Sequence, residues 1–272
     1  MPTDLDLARG AALDAAALIR ARAADFDRTD VRTKTTHDLV TDVDEAAQRL
    51  ILDRFARARP EDAILAEEGG SDAARPLAEG RRWIVDPLDG TTNFAHGIPP
   101  YAVSIALEEA GQIVVGVVAE VTSGETFCAT RGCGTTVDGD SVHVSETADL
   151  DQALLATGFP FRDYRYARGY LETFETLMRR TRGLRRHGSA AMDLAWTAAG
   201  RFDGFFEGGL APWDVAAGVL LVEEAGGTVT GLNGDAHPVF SGGLVAAPPR
   251  LHADVLAASG PLAAAYDARE RG

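Results

Sequence analysis

The chain has 272 residues, of which 46% are apolar and 25% charged, with two cysteines and a formal net charge of −15. That is the composition of a folded protein with a sizeable core, and it excludes a disordered, collagenous or disulfide-framework chain. The acidic balance argues against nucleic-acid and anionic-membrane partners, because phosphates would be repelled.

The first residues are acidic and lack a basic start and an apolar core, so no signal peptide is expected. No run of 18 apolar residues exists, so no transmembrane helix is expected. Cys128 and Cys133 are then expected to be free thiols in a reducing cytoplasm. Among the 26 basic residues Lys34 is the single Lys. A position that keeps a lysine in an arginine-only chain can be one that needs a compact ammonium.

Leu7, Ala11, Ala15, Leu18 and Ile19 recur at helical spacing and predict a first helix over 5–24. Residues 25–40 are polar and aperiodic and read as a loop or ribbon. Val43, Ala46, Ala47, Leu50, Ile51 and Phe55 predict a second amphipathic helix ending near Pro60, with Thr41 and Asp44 as a capping box. Segments 63–66, 82–85, 102–107, 113–121 and 126–129 read as strands, with hairpin turns at 109–111 and 137–140. Close succession predicts an antiparallel sheet. After about residue 150, strands at 154–157, 202–207, 227–230 and 243–246 alternate with helices near 164–181, 189–200, 212–225 and 249–259, the pattern of an α/β unit. The chain thus divides into 1–150, helices plus antiparallel sheet, and 151–272, a smaller α/β part, acting as one catalytic unit.

The most informative string is Trp83-Ile84-Val85-Asp86-Pro87-Leu88-Asp89-Gly90-Thr91-Thr92-Asn93-Phe94. An apolar strand is predicted to end at Asp86, Pro87 and Gly90 force a turn, and Thr91 stands where a short helix can begin. Two carboxylates on such a turn can face one pocket, and amides after Gly90 can face an anion. Like charges about 4 Å apart cost on the order of 4 kcal/mol at an effective dielectric of about 20, so cations are expected between them. Oxygen-only ligands select hard ions, Mg²⁺ first and Mn²⁺ second. Taken alone, D-P-x-D-G also suits a simple acidic turn.

Three further acidic places fit the same pocket. Glu67 and Glu68 follow a strand, Asp214 opens an apolar helix after Pro212-Trp213, and Asp44 lies in the first turn of the second helix. Each also has a plain reading: solvated loop charges, a dipole-complementing acid, a helix cap. His96 reads as a loop or helix-end residue rather than a general base, His187, Arg185 and Arg186 as surface residues with steering of an anionic substrate as the alternative, His37 as exposed, and Trp83 and Trp213 as packing that shields the site.

Together these strings resemble the inositol monophosphatase family of Mg²⁺-dependent, lithium-sensitive phosphatases. The residues from Asp86 to Phe94 are similar to its first signature and those from Trp213 to Gly218 to its second. Glu67-Glu68 and the residues from Asp38 to Asp44 match its two shorter motifs. All four stand in the family's order. The resemblance implies a layered α-β-α-β-α fold, a homodimer and a cytoplasmic enzyme. It implies that Glu67, Asp86 and the Leu88 carbonyl hold one Mg²⁺, that Asp86, Asp89 and Asp214 hold a second, and that a third lies near Glu67. Thr91 paired with Asp44 would take a proton from the attacking water. Asp89, Gly90, Thr91 and Thr92 would line the phosphate side, and Lys34 would lie on a loop above it. Gly188, Ser189, Ala190 and Glu207, with Asp214, would meet the hydroxyls of a small phosphorylated polyol or sugar.

Direct attack by water needs no phosphoenzyme. The chain has D-x-x-D-G-T rather than D-x-D-x-T, and no phosphate loop ending in Gly-Lys-Ser/Thr, so aspartyl-phosphate and nucleotide-triphosphate chemistry are not expected. Within the family the leading expectation is inositol 1-phosphate. The alternatives are fructose 1,6-bisphosphate, histidinol phosphate and nucleotide 3′-phosphates, although the Lys-Glu-Phe of the nucleotide branch is absent. Outside it stand a non-catalytic interaction protein that kept the fold and a calcium-binding module, whose EF-hand spacing is absent.

Overall fold

The computed structural model describes residues 3–26, 32–35, 38–69, 75–236 and 238–269, with the backbone alone for 32–35 and 38–40. Two capped helices open the chain. In α1 (Asp4–Ala23) the Thr3 hydroxyl accepts the Asp6 amide while the Asp6 carboxylate accepts the Thr3 amide. In α2 (Asp42–Ala58) Thr41 and Asp44 make the same reciprocal pair, as their spacing predicts. Each pair satisfies two of the amides that a helix start leaves open. Between the helices β1 (Arg32–Thr35) and β2 (Asp38–Val40) form an antiparallel ribbon.

A seven-stranded sheet follows in chain order: β3 (Ala63–Ala66), β4 (Arg81–Asp89), β5 (Ala102–Glu109), β6 (Gln112–Glu120), β7 (Thr126–Thr130), β8 (Thr135–Val137) and β9 (Asp140–Val142). Its neighbours are antiparallel except β3 and β4, which run parallel. Because these two run parallel, the chain between them crosses to the end of the sheet where β3 began. β4 does not stop at Asp86 as predicted. It runs on through Pro87 to Asp89, with its ladder to β5 broken between the two acids, and α3 (Thr91–His96) begins right after.

The second sheet has the order β11-β10-β12-β14-β13. It is built from β10 (Leu154–Thr157), β11 (Gly183–Arg185), β12 (Gly204–Gly208), β13 (Thr228–Gly231) and β14 (Gly243–Ala247). The first three are parallel, and β14 and β13 are antiparallel to their neighbours. The helices are α4 (Ala167–Arg180), α5 (Ala190–Ala198), α6 (Pro212–Glu224), α7 (Pro249–Ala258) and α8 (Gly260–Ala268). β11 and α8 were not among the predicted elements. β11 is only three residues long, and α8 starts on Gly260-Pro261, directly after the predicted end of α7.

Period-two alternation sorts the strand side chains into the layers. On β4 and β5, Trp83, Val85, Val103, Ile105 and Leu107 face α1 and α2, while Ile84, Ala102 and Ala106 face the molecule's centre. On the second sheet Ala156, Phe205, Leu244 and Ala246 face the centre, while Leu155, Phe206, Val245 and Ala247 face α4, α7 and α8. The central layer is α5 and α6. Every residue of α6 from Pro212 to Val222 is buried, as a helix between two sheets requires. Gly116 and Gly218 permit the close packing. A Cβ on Gly116 would stand 2.8 Å from the Ala217 carbonyl oxygen, and one on Gly218 would stand 2.5 Å from Leu194 Cβ. The result is the expected α-β-α-β-α sandwich. Both cysteines are free, Cys128 buried and Cys133 exposed, and no described helix is long and apolar enough to cross a membrane.

Candidate active site

The broken end of β4 carries the first two acids. Asp86 is buried, and its Oδ1 accepts the Leu88 amide at 2.9 Å. Two residues of turn later Asp89 is partly exposed, and its Oδ2 accepts from Ser189 Oγ at 2.6 Å and from the Ala191 amide at 2.8 Å. Gly90 closes the turn at φ 92°, a left-handed conformation that disfavours side chains. A Cβ there would also approach the Pro100 carbonyl oxygen to 3.2 Å. The third acid comes from the other half of the chain. Asp214 sits in the first turn of α6, is buried, and accepts the Ala211 amide at 2.8 Å.

Carboxylate oxygens of Asp86, Asp89 and Asp214 lie within 4.8 Å of one another. Burial, then Glu67, Asp89 and Asp214, hold the Asp86 carboxyl well above the usual carboxylate range. Burial and Asp214 push Asp89 up to about 7. Three acids this close resist ionisation until a positive charge joins them. Their donors are all oxygen, so the cluster fits a hard divalent cation. Glu67 lines the same cleft at the end of β3, with its side chain in contact with Asp86. Gln48 of α2 secures the turn that carries it, donating to the Glu68 carbonyl at 2.8 Å and accepting the Glu68 amide at 3.0 Å.

Beside the acids Thr91 Oγ1 lies 2.9 Å from Asp44 Oδ1 and 3.1 Å from the Leu88 carbonyl oxygen, both acceptors for its hydrogen. Asp44 is fully buried, and its Oδ2 accepts the Thr41 amide at 2.8 Å and the Thr41 hydroxyl at 2.5 Å. Burial pushes its carboxyl up to about 6 against these hydrogen bonds. Asp44 therefore caps a helix and also holds a cleft-lining hydroxyl.

The acids and Thr91 line one cleft. Its far wall is built at the carboxyl ends of the parallel strands, where open α/β sheets bind ligands. β11 leads to Arg186, Gly188, Ser189 and Ala190, β10 to Gly158, Phe159, Phe161 and Arg162, and β12 to Glu207 and Gly208. Burial and the charges of Asp193 and Asp214 hold Glu207 well above the ordinary range. Its carboxylate packs so closely on Gly158 that a Cβ there would fall 1.8 Å from Oε1. Arg186 lies over the Phe159 ring at 5.2 Å and the Phe161 ring at 5.6 Å. Arg162 lies over Phe161 at 5.7 Å, with Nη1 at 3.9 Å from Asp214 Oδ2.

The inositol monophosphatase family model matches residues 3–261. The chain belongs to that family. It is 43% identical over 253 residues to the Nus factor SuhB of Escherichia coli K12, covering 93% of this chain and 94% of that one. The crystal structure of extragenic suppressor protein suhB from Bartonella henselae superposes with a TM-score of 0.85 at 37% identity, covering 93% of this chain and 97% of that one. The inositol monophosphatase of Anabaena (Nostoc) sp. superposes with a TM-score of 0.80 at 36% identity, covering 93% and 94%. Family membership supports a phosphatase and a phosphorylated substrate.

Of the residues expected to act in an inositol monophosphatase, the fold brings Glu67, Asp86, Leu88, Asp89, Gly90, Thr91, Thr92, Gly188, Ser189, Ala190, Glu207 and Asp214 to one cleft, with Asp44 directly behind Thr91. Lys34 falls on β1, where side chains lie outside the described residues, and so does His37 as a whole. His96 ends α3 and is exposed, as expected. His187 is not a surface residue. Its ring is three-quarters buried, and Nδ1 meets Asp193 Oδ1 at 2.9 Å. Arg162, Phe159, Phe161 and Asp193 were missed. The signal available was Gly158-Phe159-Pro160-Phe161-Arg162 directly after a strand, an aromatic and cationic run in a place where loops meet ligands.

Proposed function

We propose that the chain is a metal-dependent phosphomonoester hydrolase that acts by direct attack of water, with myo-inositol 1-phosphate as its leading substrate. The single observation that carries this reading is the convergence of Asp86, Asp89 and Asp214 beside the Thr91–Asp44 pair. Asp86, Asp89 and Asp214 would hold one Mg²⁺, Glu67, Asp86 and the Leu88 carbonyl another, and a third would lie near Glu67, with Mn²⁺ able to replace them. Bound there, the cations would neutralise developing charge on the phosphoryl and leaving oxygens and acidify water.

The chain's own groups do the rest. Thr91 Oγ1, with its hydrogen held by Asp44, presents lone pairs to the cleft and can accept a hydrogen from the attacking water. Asp44 can take the proton onward, and a carboxyl near 6 suits that task at neutral pH. The amides of Gly90 and Thr91, with Thr92 beside them, would hold the phosphate. Gly188, Ser189, Ala190 and Glu207 would orient the alcohol, Glu207 by accepting from its hydroxyls. Arg162 and Arg186 add the cationic charge that draws an anionic ester into an acidic cleft. The halves 1–150 and 151–272 act as one unit, since each supplies part of the cluster. A homodimer is part of the same reading, and Leu171 and Met178 on α4, 62% and 53% exposed, offer apolar surface for it. So is a cytoplasmic setting, in which both thiols stay reduced.

The test is phosphate release with Mg²⁺ from myo-inositol 1-phosphate, fructose 1,6-bisphosphate, histidinol phosphate and 3′-phosphoadenosine 5′-phosphate in parallel. Turnover led by inositol 1-phosphate supports the reading, and turnover led by another ester keeps the chemistry and changes the substrate. A second reading takes its support from the relatives named Nus factor SuhB: a binding role of that kind for this chain. Folded, metal-loaded protein that hydrolyses none of the esters would favour it.

A further inference from the structure

Asp193 is 1% exposed, and its one ring partner is His187, whose Nδ1 lies 2.9 Å from Oδ1. A carboxylate this deep keeps its charge only beside a donor, and Nδ1–H is that donor. His187 is itself gripped on three sides. Its ring stacks on Phe202 at 5.2 Å, meets Trp196 edge-on at 5.2 Å, and its carbonyl accepts Asn93 Nδ2 at 2.6 Å. From His187 the chain turns through Gly188, at φ 87°, into Ser189, the start of α5. Two donors at that start, Ser189 Oγ and the Ala191 amide, converge on Asp89 Oδ2. One turn along α5 the Asp193 amide donates to the Ser189 carbonyl at 3.0 Å. The His187–Asp193 bond therefore ties residue 187 to the same helix turn that carries both donors.

We propose that His187 and Asp193 are a positioning pair for Asp89: by clamping the 187–193 turn they aim the Ser189 and Ala191 donors and so set the affinity of the acid cluster for its divalent cation. The proposal rests on the metal-site reading of that cluster. Removing a group that orients a metal ligand typically weakens metal binding by about 10–100-fold.

The test is Mn²⁺ binding without substrate, by calorimetry, with thermal melting of the metal-free protein alongside. His187→Phe keeps an aromatic ring between Phe202 and Trp196 and removes the donor, whereas His187→Asn restores a donor close to the Nδ1 position. The first is expected to raise the Mn²⁺ Kd about tenfold and the second to bring it back within about threefold of wild type. Ser189→Ala should weaken binding by a similar factor, and the double variant with His187→Phe should lose little more than either single one, because both act on one path. A lowered melting temperature with an unchanged Mn²⁺ Kd in His187→Phe would overturn the proposal, as would a Kd that His187→Asn fails to restore. A wild-type chain that binds no Mn²⁺ would overturn the metal-site reading together with it.

Discussion

Asp89→Asn removes one negative charge from the acid cluster and keeps its shape. The Ser189 hydroxyl and the Ala191 amide still find an oxygen acceptor. In the folded chain burial and Asp214 push the Asp89 carboxyl up to about 7. A carboxyl raised in this way costs the fold nothing near pH 4 and below, where it is protonated in both states. The cost grows as pH rises and is complete above about 7, where the folded chain must hold the charge. At about 1.4 kcal/mol per pH unit the ceiling is about 4 kcal/mol. Asp89 keeps some exposure, and solvent screening reduces this to about 1–2 kcal/mol. In EDTA at pH 8 the variant should therefore melt about 2–6 °C above wild type, and the gap should close toward pH 4. Saturating Mg²⁺ should reverse the order, because only wild type gains stability from the cation. Phosphate release by the variant should be lost. The assays are calorimetric melts at both pH values with and without metal, and phosphate release with Mg²⁺. A metal-free variant that melts below wild type at pH 8, or one that hydrolyses esters at the wild-type rate, would refute the reasoning.

In the proposed proton path Asp44 must be ionised to take the proton that reaches it through Thr91, and burial pushes its carboxyl up to about 6. The rate should be level above about pH 6 and fall tenfold per unit below it, so a plateau that extends to pH 5 would remove Asp44 from the proton path. Thr91→Val keeps the volume and removes the hydroxyl. It should lower kcat by a factor of about 10²–10⁴ with a near-normal melting temperature, and a rate within a few-fold of wild type would argue against a role for Thr91. Asn93→Ala deletes a buried amide that donates to the Pro100 carbonyl at 2.8 Å and the His187 carbonyl at 2.6 Å. Urea unfolding should show a loss of about 2–3 kcal/mol, and no measurable loss would mean that those bonds do not hold the two loops. Li⁺ should inhibit turnover by occupying a Mg²⁺ position, so full resistance would set the chain apart from the lithium-sensitive members of its family.

The fold was legible where its cause is local. The apolar positions of α2 repeat at helical spacing, and Thr41 and Asp44 carry their own start signal within four residues. β5 and β6 are runs of β-branched and small residues separated by Ala110-Gly111, so both strands and their antiparallel pairing follow from neighbours in the chain. The parallel pairing of β3 with β4 depends on where residues 67–80 lead the chain, and periodicity carries no such information. β11 failed for another reason. Gly183-Leu184-Arg185 has one apolar residue and becomes a strand because β10 offers it an open edge.

The site divides along the same line. Asp86, Leu88, Asp89, Gly90 and Thr91 lie within six consecutive positions because a single break in the β4–β5 ladder turns both acids toward one cleft. A short string can therefore hold most of the chemistry, and it was readable. Asp214 and Glu67 were readable as acids at element ends, but their distance from Asp86 is set by α6 packing against the first sheet and by Gln48 fastening the turn after β3. The far wall was the least readable part. Phe159, Phe161, Arg162, Arg186 and Glu207 meet because β11, β10 and β12 are parallel neighbours, so three loops distant in sequence leave the sheet at the same end. His187 shows the limit most clearly. In Arg185-Arg186-His187-Gly188 it reads as one more solvated charge, and only the folded chain surrounds it with Phe202, Trp196 and Asp193. Asp86 and Asp89 are written as a motif because one local turn presents them, whereas the groups that bond Asp89 and line the far wall are brought there by strand order. Substrate choice and metal affinity in this fold are therefore open to change at positions that leave the signatures untouched.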